Sequence, residues 1–187
     1  MSLIKFLKIV GKLKKVKRTG WLIAGIKNPE SVAEHSYRLA VLSMVLGKKF
    51  NLNTEKLIKM SLIHDLAEGE VGDLVLERGQ KQVMSPKKKL KLEKDVLKKI
   101  FGELDDKDQY LTLWQETQEL KTPEARILKQ LDKLEMIMQA LEYEGEVNPK
   151  NLDEFWTNAR KYLKNPKLLL FLEELSNLRN QKRSQNR

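Results

Sequence analysis

Apolar positions in this chain recur in steps of three and four almost from end to end. That is the period of helices with one buried face. No convincing strand pair and no internal repeat interrupt it, so the pattern predicts an all-α fold. A first amphipathic helix covers about residues 2–17. The stretch "RTGWLIAGIKNPE" then reads as a loop, punctuated by Gly20, Gly25 and Pro29. In "SVAE", Ser31 and Glu34 form a capping box that opens a helix to about Lys49. Thr54 is placed as the cap of the next helix, which ends near Ala67. Residues 68–84, with Gly69, Gly72 and Gly79, read as irregular. Ser85 as cap, Pro86 at the first helical position and Gly102 as stop frame another helix. One more covers about 106–120, and Thr122-Pro123 starts one that runs to about Glu144. Two last helices, about 150–163 and 166–182, each follow an Asn-Pro. Connections this short imply one compact helical bundle spanning 1–187. The two real loops, 18–30 and 68–84, should border any site.

Length and charge refine this picture. A chain of 187 residues can bury a substantial core. No apolar run reaches the length needed to cross a bilayer, and the N-terminus lacks the small-residue cleavage site of a secretory signal. The absence of cysteine excludes disulfides and thiolate metal sites. These features favour the cytoplasm and no membrane partner. The net charge of +10 raises the question of nucleic acid. Residues 1–18 hold seven Lys/Arg and no acid, and the tail 179–187 holds four more and no acid. Without those eleven, 25 basic residues face 26 acidic ones. The excess therefore sits at the ends, the tail reads as solvated and disordered, and no nucleic-acid reading motif accompanies the charge.

The chemistry gathers in "SLIHDLAEGEVGD", residues 61–73. His35 shares an apolar stripe with Val32, Leu39, Leu42 and Leu46. His64, with Leu57 and Ser61, lies on another. Both histidines of the chain thus point inward, where a lone histidine is most often a satisfied core residue. Asp65 is harder to place as structure, because an aspartate at a helix end has the wrong sign for the dipole there. A buried charge needs a partner or a metal. Imidazole nitrogen and carboxylate oxygen together suit Mn, Fe, Co, Ni or Zn. The best further ligand is Asp132 in "ARILKQLDKLEMIMQAL", mid-helix beside Leu128 and Leu131. Its plainer reading is an exposed acid paired with a neighbouring Lys or Arg.

"SVAEHSYRLA", "HDLAE" and "KQLDKLEMI" resemble the H…HD…D signature of the HD-domain phosphohydrolase superfamily, here spaced by 29 and 67 residues. More narrowly, "RTGW…NPESVAEHSYRLA…HDLAEGEVGD" resembles the HD-domain 5′-deoxynucleotidases, over about residues 15–145. That resemblance implies a single HD domain with its metal-binding core at about 31–145 and C-terminal helices at 150–182. It implies a divalent transition metal held by His35, His64, Asp65 and Asp132. It further implies Arg18 at the phosphate, Trp21 in substrate binding, and Glu68 and Asp73 as active-site carboxylates. The implied reaction is release of phosphate from (deoxy)nucleoside 5′-monophosphates by a metal-activated water, in a homodimer. The residue chemistry agrees: Glu68 lies one turn beyond His64 and can handle water or proton, while Arg18 offers phosphate a fork of donors. Other readings are an HD-fold hydrolase of a signalling nucleotide or a dNTP, and a basic helical protein binding nucleic acid. Alarmone hydrolases of similar fold carry Glu-Asp soon after the HD pair, which "HDLAEGEVGD" lacks.

Overall fold

The computed structural model describes residues 3–74, 77–78, 81–82, 84–102 and 104–185. Its elements run α1 (Leu3–Lys12), α2 (Thr19–Ala24), α3 (Val32–Lys49), α4 (Thr54–Ile63), α5 (Glu68–Val71), β1 (Glu77–Arg78) and β2 (Lys81–Gln82). They continue with α6 (Pro86–Phe101), α7 (Lys107–Glu119), α8 (Pro123–Glu142), α9 (Lys150–Tyr162) and α10 (Pro166–Gln185). The class is all-α. Its centre is α8, which packs on α3, α4, α7, α9 and α10. Ala125, Leu128, Leu131, Leu134, Ile137 and Ala140 of α8 are all buried, and their steps of three carry them round the helix, as packing on several sides requires. The α3–α4 pair lies against α8. A Cβ on Gly47 would stand 2.8 Å from Thr54 Oγ1 and 3.2 Å from Thr54 Cα, so glycine permits the close crossing of α3 and α4.

Local chemistry explains where the helices start. Ser31 Oγ accepts from Glu34 N at 3.2 Å, and Glu34 Oε2 accepts from Ser31 N at 2.5 Å, completing the capping box. Ser85 and Thr122 cap α6 and α8, each followed by proline. Asn148 and Asn165 accept the amides of Lys150 and Lys167 at 3.0 and 2.9 Å, which fixes the starts of α9 and α10.

Several expectations need correction. Asn53, not Thr54, caps α4, its Oδ1 accepting from Lys56 N at 3.0 Å. That helix stops at Ile63 because the chain tightens into i to i+3 bonds, Leu66 N to Ile63 O and Glu68 N to Asp65 O. The first helix stops at Lys12. The 18–30 loop contains α2, held by buried Trp21 and Ala24 and ended by Gly25 at φ 98°. The 68–84 segment is not wholly irregular: it contains α5 and a two-residue antiparallel ladder, Glu77 with Gln82 and Arg78 with Lys81. A ladder of that length is too short to show as alternation. Gly79 lies outside the described residues. The basic tail is helical through Gln185. Arg179 meets buried Glu144, and its guanidinium lies 4.7 Å from the Trp156 ring centroid. Arg183 reaches Glu144 and Asp153 at 3.2 and 2.9 Å. These carboxylates pair Arg179 and Arg183 and dock the tail. Residues 1, 2, 186 and 187 lie outside the described residues.

Candidate metal centre and its cavity

Two helices and a turn bring the histidines together. His35, one turn into α3, is fully buried, and His64 caps the end of α4. Their ring centroids are 5.5 Å apart. His64 Nδ1 donates to Ser61 O at 2.7 Å, so the Nε2 lone pair faces the other way. His35 Nδ1 lies 2.5 Å from Glu135 Oε2, which fixes the same tautomer. Both Nε2 atoms are buried without a hydrogen-bond partner. His35 Nε2 is 3.4 Å from Asp132 Oδ1 and 3.9 Å from Asp65 Oδ2, and His64 Nε2 is 3.0 Å from Asp65 Oδ2. Ligand atoms of His35, His64 and Asp132 lie within 4.8 Å of one another. Lone pairs facing carboxylate oxygens in a buried space call for a cation between them. Burial and Arg18 oppose charge on His35, yet Asp132 and Glu135 raise it to about 9. The carboxylates thus demand positive charge at Nε2, as a proton or as a metal ion. The residues fit a divalent metal.

The remaining predicted residues surround this centre. Asp65 is held well below the usual carboxylate range: burial opposes its charge, but His64, Arg18 and His35 outweigh it. Asp132 is depressed in the same way, with Lys133 and His35 outweighing burial. Arg18 Nη1 donates to Asp65 Oδ2 at 3.2 Å, bringing the arginine to the edge of the centre. A cavity of about 610 Å³ opens there, lined by Arg18, Trp21, Asp65, Glu68, Asp73 and Asp132, among others. Glu68 is 2 % exposed, and burial together with Asp65 and Asp73 pushes its carboxyl well up. Asp73 spends one oxygen on Thr19 N at 2.7 Å, which ties the α2 turn, and Arg18 with it, to the end of α5. Trp21 is 2 % exposed, stacks on Phe155 with centroids 4.2 Å apart, and donates from Nε1 to Glu30 at 2.9 Å. It forms the cavity wall from within the core. Gly69 explains the placement of Glu68: a Cβ there would stand 2.9 Å from Ile9 O, so α5 nests directly on α1.

The family profile described as "HD domain" matches residues 10–169. The chain belongs to the HD-domain family. The zebrafish protein "5'-deoxynucleotidase HDDC2" is 39% identical over 178 residues, covering 94% of this chain and 86% of that one. The human protein of the same name is 37% identical, covering 93% and 84%. Among solved structures, the PH0347 protein from Pyrococcus horikoshii OT3 superposes with a TM-score of 0.79 at 36% identity, covering 94% of this chain and 99% of that one.

Within this HD-domain centre, the sequence reading missed the groups that hold the ligands. Glu135 sits one turn after Asp132, and Arg38 one turn after His35. Arg38 donates to Glu135 at 2.8 Å, to Gln139 at 2.6 Å and to Glu142 at 2.7 Å. The available signal was the i, i+3 step from each ligand, which carries a helical residue back to the same face. Lys129 and Lys133 flank Asp132 at 3.8 and 3.1 Å, and Lys89 reaches toward Glu68 at 3.9 Å. The pairing of Asp132 with Lys129 or Lys133 was open to the sequence, though Asp132 is buried rather than exposed; Lys89 did not stand out in a lysine-rich chain.

Proposed function

We propose that this chain is a metal-dependent 5′-deoxynucleotidase, with His35, His64, Asp65 and Asp132 as metal ligands and Glu68 and Asp73 as active-site carboxylates. The observation that carries this reading is the pair of orphaned Nε2 atoms facing Asp132 and Asp65, carboxylates that line one cavity with Arg18. When bound, the metal supplies Lewis acidity: it polarises a phosphoryl oxygen and makes water a stronger acid. Arg18 offers two parallel N–H donors to the phosphate, and its pairing with Asp65 presets their direction. Glu68, pushed up by burial, suits proton transfer to the departing 5′-oxygen. Trp21 and Phe155 bound the side of the cavity that would receive the nucleoside. Asp73 positions the Arg18 turn and lines the same space. The metal is one of Mn, Co, Fe, Ni or Zn, and the working form is a cytoplasmic homodimer.

A second reading, a nucleotide with more than one phosphate, draws on Lys89, Lys129, Lys133 and Lys161 around the same cavity. Three of these lysines already sit beside acids: Lys89 by Glu93, Lys129 and Lys133 by Asp132. That favours the monophosphate. Phosphate release from a panel of deoxy- and ribonucleoside mono- and triphosphates, after chelation and after return of each metal, tests both readings. Activity on deoxynucleoside monophosphates that disappears on chelation and returns with metal is expected. Full activity in the chelated protein would overturn the proposal.

A further inference from the structure

We infer that Lys89 is a positioning residue for this reaction: it acts through Glu68 by holding that carboxyl group in place. The inference rests on the proposed role of Glu68. Lys89 lies in the first turn of α6, just after the β1–β2 ladder. Its ammonium donates to Leu74 O at 2.7 Å, lies 3.5 Å from Glu93 Oε1 and lies 3.9 Å from Glu68 Oε1. These partners come from three places: the end of the Asp73–Leu74 turn, α5, and one helical turn further along α6. Glu93 is itself buried at 7 % exposure, so the ammonium sits between two carboxyl groups and a carbonyl.

Glu68 shows why such a clamp matters. The carboxyl is almost wholly buried, and its Oε2 has no hydrogen-bond partner. Lys89 approaches Oε1, which leaves Oε2 as the uncommitted oxygen. Two other acids, Asp65 and Asp73, act on Glu68 with repulsion, while Arg18 and Lys89 attract it. Lys12, the charge that α1 sends to α5, is taken by Glu70 at 2.8 Å. Arg18 is already bonded to Asp65. Lys89 is therefore the cation placed to fix the orientation of Glu68 against the repulsion of its neighbours. It also lines both the 610 Å³ cavity and a second one of about 440 Å³ that His64 borders.

A double-mutant cycle on the full-length, metal-loaded protein separates this role from a phosphate contact or a plain structural clip. Lys89→Met is expected to lower kcat by about 10-fold or more, with KM changed less than about 3-fold. Metal content should not change. Lys89→Arg, which keeps charge and donors, should recover most of the loss. In the Glu68→Gln background, Lys89→Met should cost less than about 2-fold further, because the group it positions is already gone. Glu93→Gln keeps the ammonium but loosens it, so it should lower kcat less and with the same coupling; it tests the idea even if Lys89→Met folds poorly. Losses that multiply in the double variant would overturn the inference. So would a raised KM with kcat preserved, or no effect at all. Failure of the parent protein to hydrolyse any monophosphate would instead refute the reading of the site itself.

Discussion

His35 faces Asp132 and Asp65 with one ring nitrogen and Glu135 with the other, and the Glu135 end is the informative one. Its Nδ1 meets Glu135, and Glu135 meets Arg38. Glu135 is held below its usual range because His35 and Arg38 outweigh its burial. A charged carboxylate there makes the imidazole a stronger donor to a metal. Glu135→Gln should keep the shape and lower metal affinity by about 10- to 100-fold, read by titration against a competing chelator. Unchanged affinity would reduce Glu135 to packing. Arg18→Ala should leave metal content intact and lower activity by about two orders of magnitude. Parent-like turnover in that variant would remove Arg18 from the phosphate. Asp132 was legible in the sequence because an aspartate is out of place in the middle of an apolar helical face. Glu135 was not, since an acid among lysines reads as a solvated face until α3 is seen to lie against α8. Trp21 shows the opposite limit: the sequence leaves a core anchor and a substrate wall equally open, and Phe155 stacked on it shows the anchor.

At the scale of elements, what could be read locally was read. Caps, prolines and stop signals act within one turn of chain, so α3, α6, α7, α8 and α9 fall close to their expected bounds. What depended on remote partners could not be read. The tail is the clearest instance: all nine of its residues, 179–187, are polar or basic and none is acidic, so no apolar stripe in it shows what it docks on. Its order comes from Glu144 and Asp153, which lie 26 or more residues earlier. Arg179 is 9 % exposed and packs over Trp156. Removing one member of a buried charge pair strands the other, which typically costs about 3 kcal/mol or more. Arg183 also reaches Glu144, so it is the double variant Arg179→Met, Arg183→Met that strands this carboxylate, and it should destabilise the protein by about 3 kcal/mol in chemical denaturation. Gln181→Ala, on the exposed side of the same helix, should stay within about 0.5 kcal/mol. Equal effects of the two would mean that α10 is not anchored through Glu144.

For the whole molecule, the centre couples metal, protons and stability. Folding raises His35 from 6.5 to about 9. Its contribution is therefore fully present below pH 6.5 and is lost as pH climbs through 9. Asp65 and Asp132 are held below their usual 3.8, so their contributions are present above that value and are lost as pH falls. In the chelated protein, the proton on His35 is the cation that the carboxylates require. Its loss should remove on the order of 3 kcal/mol between pH 6.5 and 9. A bound metal supplies that charge instead and binds only the deprotonated ligands, so it should flatten the alkaline side and steepen the acid side. Thermal unfolding at half-unit pH steps is the measurement, with and without one equivalent of metal. The chelated protein should lose stability across pH 6.5–9 while the loaded protein holds level. Parallel curves across that window would show that the metal does not replace the proton on His35, and would place it away from His35, His64 and Asp132.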